Sequence, residues 1–134
     1  MKSLFLSLIL TLAFGGFVST VNAQHDSQKI SVRVGKQKKA SRSKLTVKFV
    51  ELVEDSRCAE GTNCVWAGNA RIKVTVSKNG ASETFEMNTN LGAKGNVFAG
   101  YAINLTNLSP TPKANVRINR NAYTATFSIS RMTR

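Results

Sequence analysis

The sequence is poor in the residues on which catalysis and metal binding most often depend. Its 134 residues include one histidine, two cysteines and seven carboxylates. Nucleophilic catalysis usually needs a base beside the nucleophile, and a structural zinc site needs about four ligands. The single histidine, His25, lies in a loose polar segment, residues 24–28. We therefore expect a protein that is not an enzyme and that holds no metal or cofactor.

One catalytic alternative is a carboxylate pair of the kind used in glycoside hydrolysis. Most of the carboxylates lie near the ends of predicted strands or in a surface loop, where solvated and structural roles are commoner. The candidates for such a pair are Glu51, Glu54, Asp55, Glu60, Glu83 and Glu86.

Long hydrophobic runs are absent except at the N-terminus. Lys2 precedes an apolar run of 11 residues, 4–14, and Val21 and Ala23 fit the subsites of signal peptidase. At ~1.5 Å per residue the run spans about 16 Å, which is short of the ~30 Å core of a bilayer, so an uncleaved anchor is the weaker alternative. Residues 1–23 are thus predicted to be a cleaved signal peptide, followed by one periplasmic or extracellular domain, 24–134, without a membrane span.

Apolar residues in the predicted domain alternate with polar ones at the period of two that is typical of half-buried strands. No segment has the period of an amphipathic helix, and Gly, Asn and Pro residues interrupt the alternation. The pattern predicts an antiparallel β-sandwich or small barrel of about six to eight strands. The predicted strands are 30–34, 45–53, 70–76, 85–87, 101–105 and 123–129, with a further short strand possible around Val116 and Ile118.

Asn79-Gly80 is the clearest turn signal, because this dipeptide favours a type I′ hairpin turn with positive φ at both positions. A two-residue turn determines the register of the hairpin. Apolar residues then meet on one face and opposite charges on the other. The predicted pairs are Lys78–Ala81, Val74–Phe85, Lys73–Glu86 and Ile72–Met87.

The most distinctive segment surrounds the two cysteines, and its notable positions are Asp55, Ser56, Arg57, Cys58, Cys64, Trp66, Gly68, Asn69 and Ala70. It resembles a motif of small exported bacterial proteins and lipoproteins of unknown function. In that motif D-S-R-C-P is followed by four further residues and then C-x-W-x-G-N-A. Ala59 stands where the family has proline, which should loosen the loop slightly. The resemblance implies an exported β-domain and implies no activity.

Two cysteines in an exported protein most simply form one disulfide, here between Cys58 and Cys64. The chain-entropy relation gives a ring this small roughly 2 kcal/mol of stabilisation, so we expect the bond to shape a loop more than to hold the domain together. The alternatives are a zinc site that recruits His25, a redox dithiol and an intermolecular disulfide.

Trp66 is an even number of residues from Gly68, Ala70 and the apolar positions of the following strand, so in one continuous strand they would all lie on the same face. This spacing predicts that the Trp66 indole packs in the core. The alternatives are that it forms a sugar-stacking platform or an interface anchor. Asp55 is expected to accept backbone N–H groups in a turn, with Arg57 or Arg71 as its charged partner.

Positive charge dominates the chain, with 19 Lys and Arg against seven acidic residues and no acid after Glu86. The densest basic stretch supplies the candidate polyanion-binding residues Lys36, Lys38, Lys39, Arg42 and Lys44. The partner would be an anionic polysaccharide, a lipid or another polyanion. Nucleic acid is not the expected partner, because no aromatic residues interleave the basic run. The alternative to a binding surface is a generally solvated basic surface that protects strand edges.

Two functions therefore stand as hypotheses from the sequence. The first is a non-enzymatic exported domain that binds an envelope or extracellular polyanion. The second is an interaction or inhibitor module that presents the Cys58–Cys64 loop to a protein. Residues 59–63 contain no large anchor side chain, which counts against the second.

Overall fold

The computed structural model describes residues 26–133, which form an eight-stranded antiparallel β-sandwich. The predicted fold class is confirmed. The strands are β1 (Ser27–Arg33), β2 (Gln37–Lys39), β3 (Thr46–Asp55), β4 (Ala70–Lys78), β5 (Ala81–Asn88), β6 (Gly95–Phe98), β7 (Tyr101–Ser109) and β8 (Thr124–Arg131), with one short 3₁₀ helix at Arg120–Ala122. The expected signal peptide and His25 lie outside the described residues.

The strands divide into two four-stranded sheets, one ordered β1-β8-β7-β6 and the other β2-β3-β4-β5. One hydrophobic cluster lies between the sheets, and Phe49 of β3 and Phe127 of β8 are its largest fully buried side chains. In β4 every second residue from Ala70 to Val76 is buried, as the period of two predicts. No helix within residues 26–133 is long and apolar enough to cross a membrane.

The β4–β5 hairpin has the predicted register. Lys78 pairs with Ala81 across the turn, and all four predicted pairs are present. Asn79 and Gly80 have φ values of 50° and 81°, as a type I′ turn requires. The local turn chemistry and the apolar pattern therefore specify this element together.

Two strands were not expected. β2 consists of three exposed residues, and β6 has no fully buried residue, so neither shows the alternation from which strands are recognised. Both add to sheet edges through backbone pairing with β3 and β7. The short strand considered at Val116 and Ile118 is absent from the described residues, and Val116 is 59% exposed there.

β-Bulges change the phase of the predicted strand that became β3. β3 is irregular between Phe49 and Glu51 and again between Leu52 and Glu54. As a result Leu52 is buried, whereas Val53, on the expected apolar face, is only half-buried. A single extra residue reverses which side chains face the core, so simple alternation could not place these positions.

Candidate functional site

The disulfide links Cys58 and Cys64 as predicted, with a Cα–Cα distance of 5.9 Å. The ring is anchored at one side by the Cys58 N–H, which donates to the Ala67 carbonyl at 2.9 Å. It is anchored at the other by Glu60, whose N–H donates to the Pro112 carbonyl and whose carbonyl accepts from the Ala114 N–H. The ring is therefore a fixed loop at one end of the sandwich.

Asp55 and Arg57 form a bidentate ion pair beside the ring. Arg57 Nε and Nη2 donate to the two Asp55 carboxylate oxygens at 2.8 Å each, and the side chains are only 14% and 8% exposed for Arg57 and Asp55. Asp55 also accepts from the Arg57 backbone N–H and from the Tyr123 hydroxyl. The expected turn role of Asp55 and its pairing with Arg57 are confirmed, whereas Arg71 contacts Glu54 and Glu86 instead.

Arg57 extends this network to the other sheet. Its Nη1 donates to the Leu108 carbonyl at 2.7 Å and its Nη2 to the Pro110 carbonyl at 2.8 Å. Asp55 ends β3, Leu108 lies in β7, and Tyr123 directly precedes β8. The network therefore joins the two sheets, and every guanidinium nitrogen of Arg57 has a partner.

Burial raises the pKa of Asp55, but the hydrogen bonds from Arg57 and Tyr123 outweigh it, so the net pKa lies below the ordinary value. The hydrogen bond to Asp55 raises the pKa of Arg57 against the opposing effect of burial. Burial and the hydrogen bond to Asp55 both raise the pKa of Tyr123. The network therefore consists of an ionised pair that is hydrogen-bonded to a neutral phenol at the junction of the two sheets.

Gly68 and Asn69 shape the chain between the ring and β4. Gly68 has a φ of 70°, and a Cβ at this position would overlap the Ser56 carbonyl oxygen. The buried Asn69 accepts the Ser56 N–H with its carbonyl at 2.7 Å. Its side-chain oxygen accepts the N–H groups of Asn90 and Leu91 at 3.0 and 3.1 Å. The motif residues therefore bring three chain segments together.

Trp66 is not in the core, contrary to the prediction: it is 79% exposed. The prediction extended the parity of β4 backwards to Trp66, but β4 begins only at Ala70. The left-handed conformation of Gly68 interrupts the extended chain, so the alternation of inward and outward side chains in β4 does not continue back to Trp66.

The exposed indole lines an open groove of about 310 Å³. Leu91, which is 64% exposed, lines the same groove. The complete lining is Ser56, Trp66, Gly68, Asn69, Asn90 and Leu91. Four of these six residues belong to the motif that the sequence singled out, although none of them was predicted to line a groove. Asn90 and Leu91 were missed, because only the hydrogen bonds that they donate to Asn69 bring them there.

The basic stretch lies on and around β2, which is an edge strand of the sheet ordered β2-β3-β4-β5. Lys36, Lys38, Lys39 and Lys44 are exposed and form no ion pair within residues 26–133. Arg42 differs, because its guanidinium pairs with Asp26. Lys48 of β3, opposite Gln37, adds a cation that the sequence stretch did not include.

Three carboxylates, Glu51, Glu54 and Glu86, form ion pairs on the outer face of β3, β4 and β5. Lys73 contacts Glu51 at 2.6 Å, and this hydrogen bond lowers the pKa of Glu51. Arg71 lies between Glu54 and Glu86 at 3.7 and 3.4 Å. Across residues 26–133 no group of three His, Cys, Asp or Glu side chains has the geometry of a metal site.

No protein-family model matches the chain, and no match is found among the curated proteins or the solved structures. The resemblance of residues 55–70 to small exported proteins therefore stays a prediction.

Proposed function

We propose that the protein is a non-catalytic exported domain that binds a polyanion along β2 and the turns beside it. The strongest support is the distribution of unpaired cations. Within residues 26–133, four basic residues take part in ion pairs, and these engage five of the seven acidic residues. The remaining cations of this part of the chain form no ion pair there, and their densest group lies on β2 and in the turns beside it.

The strand geometry presents these cations on both sides of an edge. Lys38 is opposite Val47, whose side chain is in the core, whereas Lys39 is opposite Thr46 on the outer face. Because opposed residues of an antiparallel pair share a face, consecutive lysines project to different sides of β2. An extended anionic chain or a layer of anionic headgroups could contact both sets.

A second basic group continues the surface beyond β2. Arg33 ends β1 and donates to the Asn121 carbonyl at 3.0 Å, while Arg120 donates to the Leu52 carbonyl at 2.7 Å. Lys36 lies in the same turn as Arg33, to whose carbonyl its N–H donates. Both arginines are exposed and have further guanidinium N–H groups that face solvent, so they extend the positively charged surface around β2.

The test compares two variants of equal net charge. In the first, Lys36, Lys38 and Lys39 are replaced by Gln. In the control, Gln replaces three exposed cations away from β2, namely Lys94, Lys113 and Arg117. Heparin represents acidic polysaccharide, and vesicles of anionic phospholipid represent membrane surfaces.

We expect the β2 variant to lose affinity and to show a flatter dependence of log affinity on log salt, because fewer counterions are released on binding. The control should retain most of the affinity. Both should unfold close to the wild-type temperature, since exposed charges usually change stability by about ±0.5 kcal/mol or less. An equal loss in the two variants, or no salt-dependent wild-type binding to either probe, would contradict a site at β2.

The protein-interaction alternative gains less support from the ring itself. Residues 59–63 remain without a large apolar side chain, and Glu60 is engaged through its backbone with residues 112–114. Recovery of one protein partner that resists high salt, together with no retention on heparin or vesicles, would favour this alternative over the polyanion.

A further inference from the structure

Trp66 is exposed on a part of the chain that is held rigidly. The disulfide closes two residues before it, and the Cys58 N–H bonds to the carbonyl of Ala67 immediately after it. Gly68 then packs directly on the Ser56 backbone. Exposed Leu91 lines the same groove, and clustered exposed apolar side chains indicate a binding site more often than single ones do.

The opposite wall of the groove is fixed as firmly. Asn69 Oδ1 accepts the N–H groups of Asn90 and Leu91, and Asn69 Nδ2 donates to Asn88 Oδ1 at 2.8 Å. Asn90 Nδ2 in turn donates to the Gly68 carbonyl at 3.1 Å. Both walls are therefore organised before any ligand arrives, which lowers the entropic cost of binding.

The lining combines one aromatic surface with neutral hydrogen-bonding groups. Asn90 is exposed, and among residues 26–133 its Oδ1 accepts no hydrogen bond, while its Nδ2 has a second N–H to donate. The Ser56 hydroxyl donates to the Asn69 carbonyl and keeps lone pairs that can accept. The Asn90 amide and the Ser56 hydroxyl can therefore bond to the hydroxyl groups of a ligand whose apolar face lies on the Trp66 indole.

Charge decides the class of ligand. None of the six lining residues is ionisable, although the chain as a whole has a formal charge of +12. A ligand with a formal negative charge would find no counter-ion in the groove. The volume of about 310 Å³ is at the lower end of the roughly 300–1,000 Å³ usual for small-ligand sites, so one or two rings would fill it.

We propose that this groove binds an uncharged pyranose unit of a glycan, with its C–H face stacked on Trp66 and its hydroxyls bonded to Asn90 and Ser56. The site is independent of the polyanion surface, because no candidate residue of β2 lines it. A protein partner is the competing occupant, but the apolar patch has only Val65, Trp66 and Leu91. A standard protein interface buries about 800 Å² per partner, and the neighbouring ring offers no further anchor.

Trp66 is the only tryptophan of the chain, so its fluorescence reports directly on the groove. The exported form would be titrated with neutral hexasaccharides of glucose, xylose, mannose and N-acetylglucosamine, at low and high salt. We expect at least one series to give a saturable fluorescence change that salt does not alter and that protects the indole from acrylamide quenching.

Calorimetry on variants then locates the site. Trp66→Ala should weaken binding about tenfold or more, as truncation of a central aromatic anchor typically does, and Trp66→Phe should restore part of the affinity. Asn90→Ala should weaken it several-fold. Val65→Ala is the matched control, because Val65 is fully exposed but does not line the groove, and its affinity should be unchanged.

Absence of saturable binding to all four series would overturn the proposal. So would equal losses in the Val65 and Trp66 variants, or a Trp66-dependent protein partner in place of a glycan. Because the β2 variant retains all groove residues, it should bind the oligosaccharide normally, and this separates failure of the groove from failure of the polyanion site.

Discussion

At the scale of single residues, a glycine and an asparagine determine where the tryptophan lies. Gly68 allows the chain to touch the Ser56 backbone, and Asn69 holds the turn that carries Leu91. Trp66 is consequently displaced from the inner face of the sheet and lines a groove. The indole position is therefore set by its neighbours' backbone requirements and not by its own hydrophobicity.

Substitution of Gly68 tests this dependence, and Gly80 provides the control. Both have left-handed φ values, 70° and 81°, but a Cβ at Gly80 meets nothing within 4 Å. Gly80→Ala should cost about 1–2 kcal/mol, the usual penalty for a left-handed alanine. Gly68→Ala carries the same penalty and must also move the Ser56 backbone, so it should be clearly less stable and should lose the groove. Urea unfolding followed by far-UV circular dichroism measures the two stabilities, and acrylamide quenching of Trp66 reports loss of the groove. Equal losses of stability would contradict the close contact.

At the scale of elements, the sandwich and the disulfide ring are separable. None of the residues of the buried core lies between Cys58 and Cys64, and the ring contacts residues 112–114 through backbone hydrogen bonds. The strands have their own core and turns. The ring therefore contributes local order at the end of the sandwich.

Replacement of both cysteines by alanine should lower the free energy of unfolding by about 2 kcal/mol, the amount expected from the chain entropy of so short a ring. The far-UV circular dichroism spectrum should keep its β character, because the sheets do not depend on the bond. Reduced wild type serves as the control and should behave in the same way. Complete unfolding of the double variant at ambient temperature would show that the ring supports the sheets.

At the scale of the whole molecule, the Asp55–Arg57–Tyr123 network joins the ends of the two sheets. Its ion pair is almost entirely shielded from solvent, unlike the Glu51, Glu54 and Glu86 pairs on the outer face. Breaking a buried pair leaves one charge without a partner, which is costly, whereas exposed pairs contribute little. Removal of one partner from this network should therefore cost more stability than removal of one partner from a surface pair.

The junction predicts a specific dependence of stability on pH. The folded pKa of Asp55 lies below its ordinary value of 3.8, so its contribution is fully present above that value and is lost as the pH falls through the folded pKa. Asp55→Asn should cost about 3–5 kcal/mol at neutral pH. The difference from wild type should shrink as the solution becomes more acidic than the ordinary pKa.

Glu83→Gln is the matched control, because Glu83 is exposed and makes no ion pair within the described part of the chain. Its stability should follow that of wild type at every pH. Thermal unfolding at a series of pH values measures both variants. A difference between wild type and Asp55→Asn that stays constant down to strongly acidic pH would contradict the assigned role of the carboxylate.

The features that could be inferred from sequence are those with local causes. Alternation along β4 and β8 predicted the sandwich, Asn79-Gly80 predicted a hairpin register, and the isolated pair Cys58 and Cys64 predicted the disulfide. Each follows from a period, a dihedral preference or the small number of possible partners. Such causes operate within a few residues, so they can be recognised without the fold.

The exposure of Trp66, the strands β2 and β6 and the groove beside Leu91 have causes that lie far apart in the chain. Gly68 takes its left-handed conformation against the backbone of Ser56, and Asn69 selects the turn at Asn90 and Leu91. β2 exists because β3 offers an edge, although none of its three residues is buried. Hydrogen bonds and backbone contacts between distant segments produce no periodic pattern in the sequence. These features were therefore determined only by the tertiary structure.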